Sequence, residues 1–424
     1  MDKTAKIQLV RSNTLIAGVD VAKKKHFARI IDSYGIDVEK PFGFQNNIDG
    51  FIRLEGKLLQ IQKKAGVERV IVGMEPTGHY WKPLAWWLRE RGYTVVIVNP
   101  MLVKRHKEDL DNSPSKSDRK DTGIIADLVL QGKFMHCMLP KGIYAELREL
   151  AVTRRQQKGK LNAALNNLRA VLDEFFPEFD TVFKNLLGKA ASWVLENIPF
   201  PKDIVSHSLE WLGERLKEAS NHRVGLKRAE SLMSAAESSV GVPDGLDAAR
   251  IRLKSCLREV RFYEGELEIT EAKMAEALED AGLSRYLLSI PGVGVVTAAG
   301  FLGEIGDPTK YKNWRQVRNL AGLSLMENSS GKRQGNTIIT KRGRSGLRCL
   351  LYQAALVLVA KNSAFRALYH YFLTRRQNPL KKKEALIAVG LKLLRVMFKL
   401  ATAKELYDPS KVLGHYREAQ LKAA

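Results

Sequence analysis

The chain reads as α/β plus α: a mixed strand-and-helix unit first, a long-helix middle, and a mostly helical C-terminal unit. Three observations predict this. Short apolar runs alternate with helical spacing from Leu15 to about Leu130. Leucines then recur four and three residues apart, and later seven apart, through the middle third. From Leu287 onward the spacing is again helical and the charge becomes one-signed. The boundaries that follow are residues 1–145, 146–280 and 281–424. A chain of 424 residues exceeds what one ordinary core serves, in keeping with two or three units.

Leu15 to Val21 is an apolar run with Asp20 near its end, suited to a buried strand. Phe27 to Ile31 is a second strand, and the turn Ser33-Tyr34-Gly35 leads to a third run ending near Phe44. Phe51, Leu54, Leu58 and Ile61 set a helix within Asp49 to Lys63. Val67 to Met74 is strand-like, Tyr80 to Arg91 helical, Thr94 to Val98 a strand, and Ile124 to Leu130 an apolar helix. Three strands, a helix, then alternating strand and helix is the order of a ribonuclease-H-like fold. That fold carries nuclease carboxylates at strand ends and on a late helix.

In the middle, Leu161, Leu165, Leu168, Leu172 and Phe175 form a coiled-coil seam, and Leu253, Val260, Leu267 and Met274 form a second. Two such helices make an antiparallel hairpin or a dimerisation stalk, or serve as core-facing helices of one subunit. Between them, from about Pro177 to Asp247, lies a helical insertion with no motif. In the last unit Lys341 to Lys404 contains fifteen Lys and Arg and a single acidic residue, Glu384. Amphipathic helices at Leu347 to Val359 and Ala385 to Leu400 therefore present cationic faces.

Hydrophobic residues at 45% and charged residues at 27% are those of a folded chain and exclude general disorder. The net charge of +23 points to a polyanionic partner. Cys137, Cys256 and Cys349 are far apart and lack CxxC spacing, which argues against a disulfide framework or zinc knuckle. No apolar run is long enough for a membrane span, and the first residues lack a signal-peptide pattern. A cytoplasmic protein with no membrane role is expected.

Four carboxylates stand where the fold would use them: Asp20, Glu75 after the Val67–Met74 strand, and Asp118 and Asp121 before the Ile124 helix. A helix starting near Ser117 puts the last two on one face. Such a group repels itself unless cations intervene, and hard oxygen ligands favour Mg²⁺, with Mn²⁺ as a substitute. Asp127 competes for the fourth position. Thr77 and His79, in the turn Pro76 to Trp81, are candidates to cap the next helix or touch phosphate.

Ile290-Pro291-Gly292-Val293-Gly294 resembles a helix-hairpin-helix motif, with Gly292 and Gly294 letting backbone N–H groups approach phosphate. Asn328 to Gly335 offers Ser329 and Ser330 beside Lys332 and Arg333, followed by Lys341 and Arg342, with Arg344 and Arg348 beyond. A serine flanked by a glycine and a cationic cluster suits attack on a phosphodiester. The six cations and two glycines are the candidate nucleic-acid contacts.

The ordered set Gly18-Val19-Asp20, Glu75-Pro76-Thr77-Gly78 and Lys116-Ser117-Asp118-Arg119-Lys120-Asp121 resembles the DEDD pattern of the insertion-sequence one-ten and eleven-eleven transposases. Ile290 to Gly294, Leu320-Ala321-Gly322-Leu323, Ser330-Gly331-Lys332 and Lys341-Arg342-Gly343 resemble the C-terminal transposase domain of the same family. The resemblance implies a RuvC-like domain binding Mg²⁺ through Asp20, Glu75, Asp118 and Asp121. It implies a serine nucleophile, Ser330 with Ser329 as the alternative, that forms a phosphoserine link to DNA. It further implies donor and target DNA chosen by a noncoding bridge RNA, and homodimers pairing into a tetramer at the prokaryotic nucleoid. Ser117 and Thr122 stand where the family more often has threonine and alanine. Two other readings compete: a Holliday-junction-type nuclease using the carboxylates and water, and a non-catalytic nucleic-acid-binding protein on a degenerate nuclease fold.

Overall fold

The apolar run ending at Asp20 becomes an inner strand of a six-stranded sheet in the computed structural model, which describes residues 3–11, 13–110, 118–326, 337–414 and 417–419. Two units result, residues 1–139 and 140–424. The first contains α1 (Lys3–Arg11), β1 (Thr14–Asp20), β2 (Lys25–Ile31), β3 (Asp37–Gln45), α2 (Ile48–Ala65) and β4 (Arg69–Met74). It continues with α3 (Trp81–Glu90), β5 (Thr94–Ile97), α4 (Pro100–Leu110), α5 (Asp118–Leu130) and β6 (Met135–His136).

The strand order is β3-β2-β1-β4-β5-β6. β1, β2 and β3 pair antiparallel, β1, β4 and β5 parallel, and β6 closes the edge antiparallel. This arrangement is consistent with the ribonuclease-H-like order expected. β1 is covered on both faces, which is why its sequence is a continuous apolar run and not an alternation. Leu15, Ala17 and Val19 enter the core that also holds Leu54, Leu58, Leu84 and Leu88 of α2 and α3. Ile16, Ile71 and Val96 enter the opposite core, with Ile125 and Val129 of α5. α2 begins where the Asn47 side chain accepts from the Gly50 N–H at 2.9 Å and ends at Gly66 with φ +64°.

The second unit opens with α6 (Ile143–Phe175), followed by α7 (Phe179–Val182), α8 (Lys189–Asn197), α9 (Pro201–Val205), α10 (Leu209–Ala219) and α11 (Leu226–Glu237). α12 (Leu246–Asp280) returns along α6. Arg154 pairs with Glu271 at 2.7 Å and Arg252 with Glu174 at 2.8 Å, a register that only antiparallel helices produce. Leu161, Ala164, Val260 and Leu267 fill the seam. Of the alternatives raised by the leucine spacing, α6 and α12 thus form an antiparallel pair within one subunit. The insertion has its own core, in which Phe176, Phe179, Phe200, Leu212 and Leu232 pack on Leu168 and Leu253.

The remaining elements are α13 (Ser284–Leu287), α14 (Val295–Ile305), α15 (Trp314–Ala321), β7 (Leu325–Met326), β8 (Ile338–Ile339), α16 (Ser345–Lys361), α17 (Ser363–Thr374), α18 (Lys382–Ala403) and α19 (Ser410–Leu413). Leu287, Phe301, Leu347, Phe365, Leu393 and Met397 lie in one core, which also takes Leu147 from the start of α6. Among the described residues no helix is long and apolar enough to cross a membrane.

Candidate active site

In the first unit the site is built by strand register. β1 and β4 run parallel, with Val19 opposite Met74, so Asp20 and Glu75 occupy the next position on neighbouring strands at the same end. Side chains alternate along a strand, so Asp20 shares a face with Ile16 and Gly18, and Glu75 with Ile71 and Gly73. That face carries α5. A Cβ on Gly18 would stand 2.1 Å from the Thr122 carbonyl oxygen, and one on Gly73 would stand 2.5 Å from Val129 Cγ2. The two glycines let the helix lie against the sheet, and its first turns come to rest beside the end of β1.

α5 begins at Asp118, so Asp118 and Asp121 share its first turn at the i, i+3 spacing. The side chain of Asp118 lies outside the described residues. Asp121 is half-buried and paired with Lys107 Nζ of α4 at 2.5 Å. Glu75 accepts a hydrogen bond from the Thr77 hydroxyl at 2.9 Å. Thr77 therefore does not cap α3, and neither does His79: the N-cap of that helix is Tyr80, with no side-chain cap bond. Asp127 has a carboxyl pKa raised by burial, opposed by the nearby charges of His106 and Arg29.

Among the described residues no group of three His, Cys, Asp or Glu side chains is close enough to hold a metal ion. Asp20 and Glu75 nevertheless suit a hard cation in donor type and in the face they share. Asp121 would exchange its lysine for the ion.

The loop that leaves Asp20 is held by His26, which the sequence did not single out. Its imidazole is fully buried between Phe44 and Phe51, and Nδ1 accepts from the Ala22 N–H at 3.1 Å. Burial lowers its pKa from 6.5, keeping the ring neutral as an acceptor. Asn46 donates from Nδ2 to the Lys23 carbonyl at 3.2 Å and clasps the same loop.

In the second unit Ser329, Ser330, Lys332 and Arg333 lie outside the described residues. The strands on either side of them do pair: Leu325 faces Ile339 and Met326 faces Ile338. Below these strands the Lys341 N–H donates to the Gly322 carbonyl at 3.0 Å, and a Cβ on Gly343 would meet the Leu320 oxygen at 2.4 Å. The base of this hairpin is thus packed tightly on the end of α15.

Lys341 and Arg342 are exposed. Arg348 donates to the carbonyls of Ala321 and Gly343 at 2.9 and 3.2 Å, bracing the base of the hairpin. Arg344 donates to the Glu304 carbonyl, and its pKa is lowered by burial and by Arg148. Arg344 and Arg348 therefore spend donors on the protein itself. Glu304, another residue the sequence reading passed over, is 8% exposed and faces Arg148 at 3.2 Å and Arg155 at 3.4 Å. An acid inside the apolar run Val295–Ile305 was the available signal, since a buried charge requires partners. Gly292 has φ +95°, and the carbonyl of the preceding Pro291 accepts from Asn362 Nδ2 at 3.1 Å. The turn leads into α14, capped by Gly294 with no side-chain bond to the helix N–H groups.

Comparison with known proteins agrees at both ends of the chain. Residues 17–177 match the DEDD transposase model of IS110 elements, and residues 284–370 match the transposase model of the IS116/IS110/IS902 family. The transposase for insertion sequence element IS1111A of Coxiella burnetii is 31% identical over 91% of this chain and 93% of its own length. An uncharacterised protein of insertion element IS110 from Streptomyces coelicolor is 24% identical over 94% of this chain and 96% of its own. The mini-circle putative transposase for IS117 of the same organism is 26% identical over 76% and 79%. With carboxylates at adjoining strand ends, a late helix bearing two more, and likeness along nearly its whole length, the chain belongs to the IS110 family of DEDD transposases.

Proposed function

We propose that the chain cuts and rejoins donor and target DNA through a covalent phosphoserine intermediate. The observation that carries the proposal is the placement of Asp20 and Glu75 on adjoining strand ends, under the helix that brings Asp118 and Asp121. Ser330, with Ser329 as the alternative, is the nucleophile, in the stretch of sequence between β7 and β8. Its Oγ loses a proton and bonds to phosphorus as the P–O3′ bond breaks, and the departing oxygen takes up a proton. A 3′-hydroxyl of the exchanged strand reverses the step, so the phosphodiester is conserved without a nucleotide cofactor.

Asp20, Glu75, Asp118 and Asp121 would hold Mg²⁺, which supplies positive charge to a phosphodiester oxygen. Thr77 orients the Glu75 carboxylate, and His26 fixes the loop beside Asp20. Lys341 and Arg342 contact phosphate directly, while Gly292 and Gly294 offer backbone N–H groups. The family resemblance supports a noncoding bridge RNA as the guide and dimers paired into a tetramer as the working assembly.

The test is a denaturing gel after incubation of the protein with Mg²⁺, the element's noncoding RNA and labelled donor and target DNA. Wild type is expected to carry DNA covalently, and Ser330→Ala and Asp20→Asn are expected to carry none. Cleaved DNA without any adduct would replace this mechanism with hydrolysis by water at the carboxylates.

A further inference from the structure

The insertion between α6 and α12 contains a cavity of about 520 Å³ that the strand chemistry does not use. Its wall carries Lys184, Lys189, Arg223 and Arg228 with the amides of Asn185 and Asn221, and among the described residues no carboxylate lines it. Among the described residues no acid pairs with any of these four cations. The volume falls within the range of small-ligand sites, about 300–1,000 Å³.

Cations gathered around one hollow repel each other, and this chain has many acids elsewhere that would relieve them. The hollow is also built and not merely left over. Arg228 Nη1 is anchored on the Val182 carbonyl at 2.6 Å, with its guanidinium 6.0 Å from the Phe183 ring centre. Asn221 of the lining adopts left-handed backbone, φ +53°, as does its neighbour His222 at +61°, where non-glycine residues are strained. Ser220 is buried and holds this turn by accepting from the Val224 N–H at 2.8 Å. A further wall is the start of α8, whose N-cap Gly188 has no side chain to satisfy the first helical N–H groups.

We infer that this cavity is a nucleotide-phosphate site, taking one phosphate-bearing unit of a single nucleic-acid strand. The lysines and Arg223 supply charge, Arg228 and the two amides supply directed donors, and Val182, Ala190 and Ala191 give an apolar floor for part of a base or sugar. None of its lining residues is among the carboxylates or serines assigned to strand chemistry, and it does not depend on the reading of either.

The test uses the full chain and three fluorescent probes: a nucleoside monophosphate, a ten-nucleotide single-stranded RNA, and a DNA of the same sequence. Affinities are measured for wild type, Lys184→Gln/Lys189→Gln, Arg223→Gln, and the charge-retaining Lys184→Arg/Lys189→Arg. All three residues are exposed, so the variants are expected to melt as wild type does. Tenfold or greater weakening by the glutamine variants, restored by arginine, is expected for at least one strand probe. Weakening for RNA alone or DNA alone identifies the strand, and parallel weakening for the monophosphate shows that a free nucleotide also enters. Affinities within twofold of wild type for every probe, or weakening that arginine fails to restore, would overturn the assignment.

Discussion

Single residues decide how closely α5 approaches the sheet. Gly18 faces the Thr122 carbonyl, a backbone atom that cannot rotate away. Gly18→Ala is therefore expected to cost about 1–3 kcal/mol, read as a lower melting temperature. Gly56, in α2 with open space around its Cβ position, is the control, and its change to alanine should raise stability slightly. His26 gives a pH dependence. Its folded pKa lies below the ordinary 6.5, so beneath pH 6.5 the unfolded chain binds a proton that the folded chain resists. Stability contributed by the neutral ring is then lost as the solution is acidified. A His26→Phe variant should melt with a flatter pH profile between pH 7 and 5, and an unchanged profile would remove His26 as its source.

At the scale of elements, α14 and α16 are joined through a charge. Glu304 gathers Arg148 and Arg155 from α6 and Arg344 from the N-cap of α16. Space for this exists because Gly346 has no side chain: a Cβ there would fall 1.8 Å from Arg155 Nη1. Removing the acid would leave three guanidinium groups facing one another. Glu304→Ala is expected to destabilise the second unit by about 3 kcal/mol, measured by denaturant unfolding. Glu276→Ala, which breaks only an exposed pair with Lys273, should leave the transition where it is. The hairpin β7–β8 rests on this region through Arg344 and Arg348, so the glutamate variant is also expected to lose adduct formation faster than it loses fold.

For the whole molecule, the governing quantity is the charge of +23. Part of it stands on exposed side chains such as Lys341, Arg342, Lys361, Lys382, Lys383 and Arg395. DNA affinity should consequently fall about a thousandfold between about 50 and 200 mM salt, the behaviour of a protein that neutralises at least about six phosphates. A weak salt dependence in a titration series would mean that recognition rests on base contacts instead.

Residue types and their periodicity settle much of this before any fold is known. The apolar runs at β1, β4 and β5 had to be strands because both faces of a parallel sheet are covered. The leucine spacing of α6 and α12 had to yield two long helices. Asp20, Glu75, Asp118 and Asp121 were legible because acids at strand ends and a helix start are conspicuous in a chain so rich in cations. Distances between sequence-remote groups were not legible. The spacing of leucines left a hairpin, a stalk and core-facing helices of one subunit all open, and only packing brought Arg154 to Glu271. Lys107 on Asp121, His26 against Phe51 and Arg344 against Glu304 carry no local signal, because each partner lies on another element. Two of the arginines that looked like phosphate contacts are spent on backbone carbonyls for the same reason. Charge and hydrophobicity belong to the chain as written, whereas who meets whom depends on how close two helices or a helix and a sheet can come, and glycines at 18, 73 and 346 set that distance.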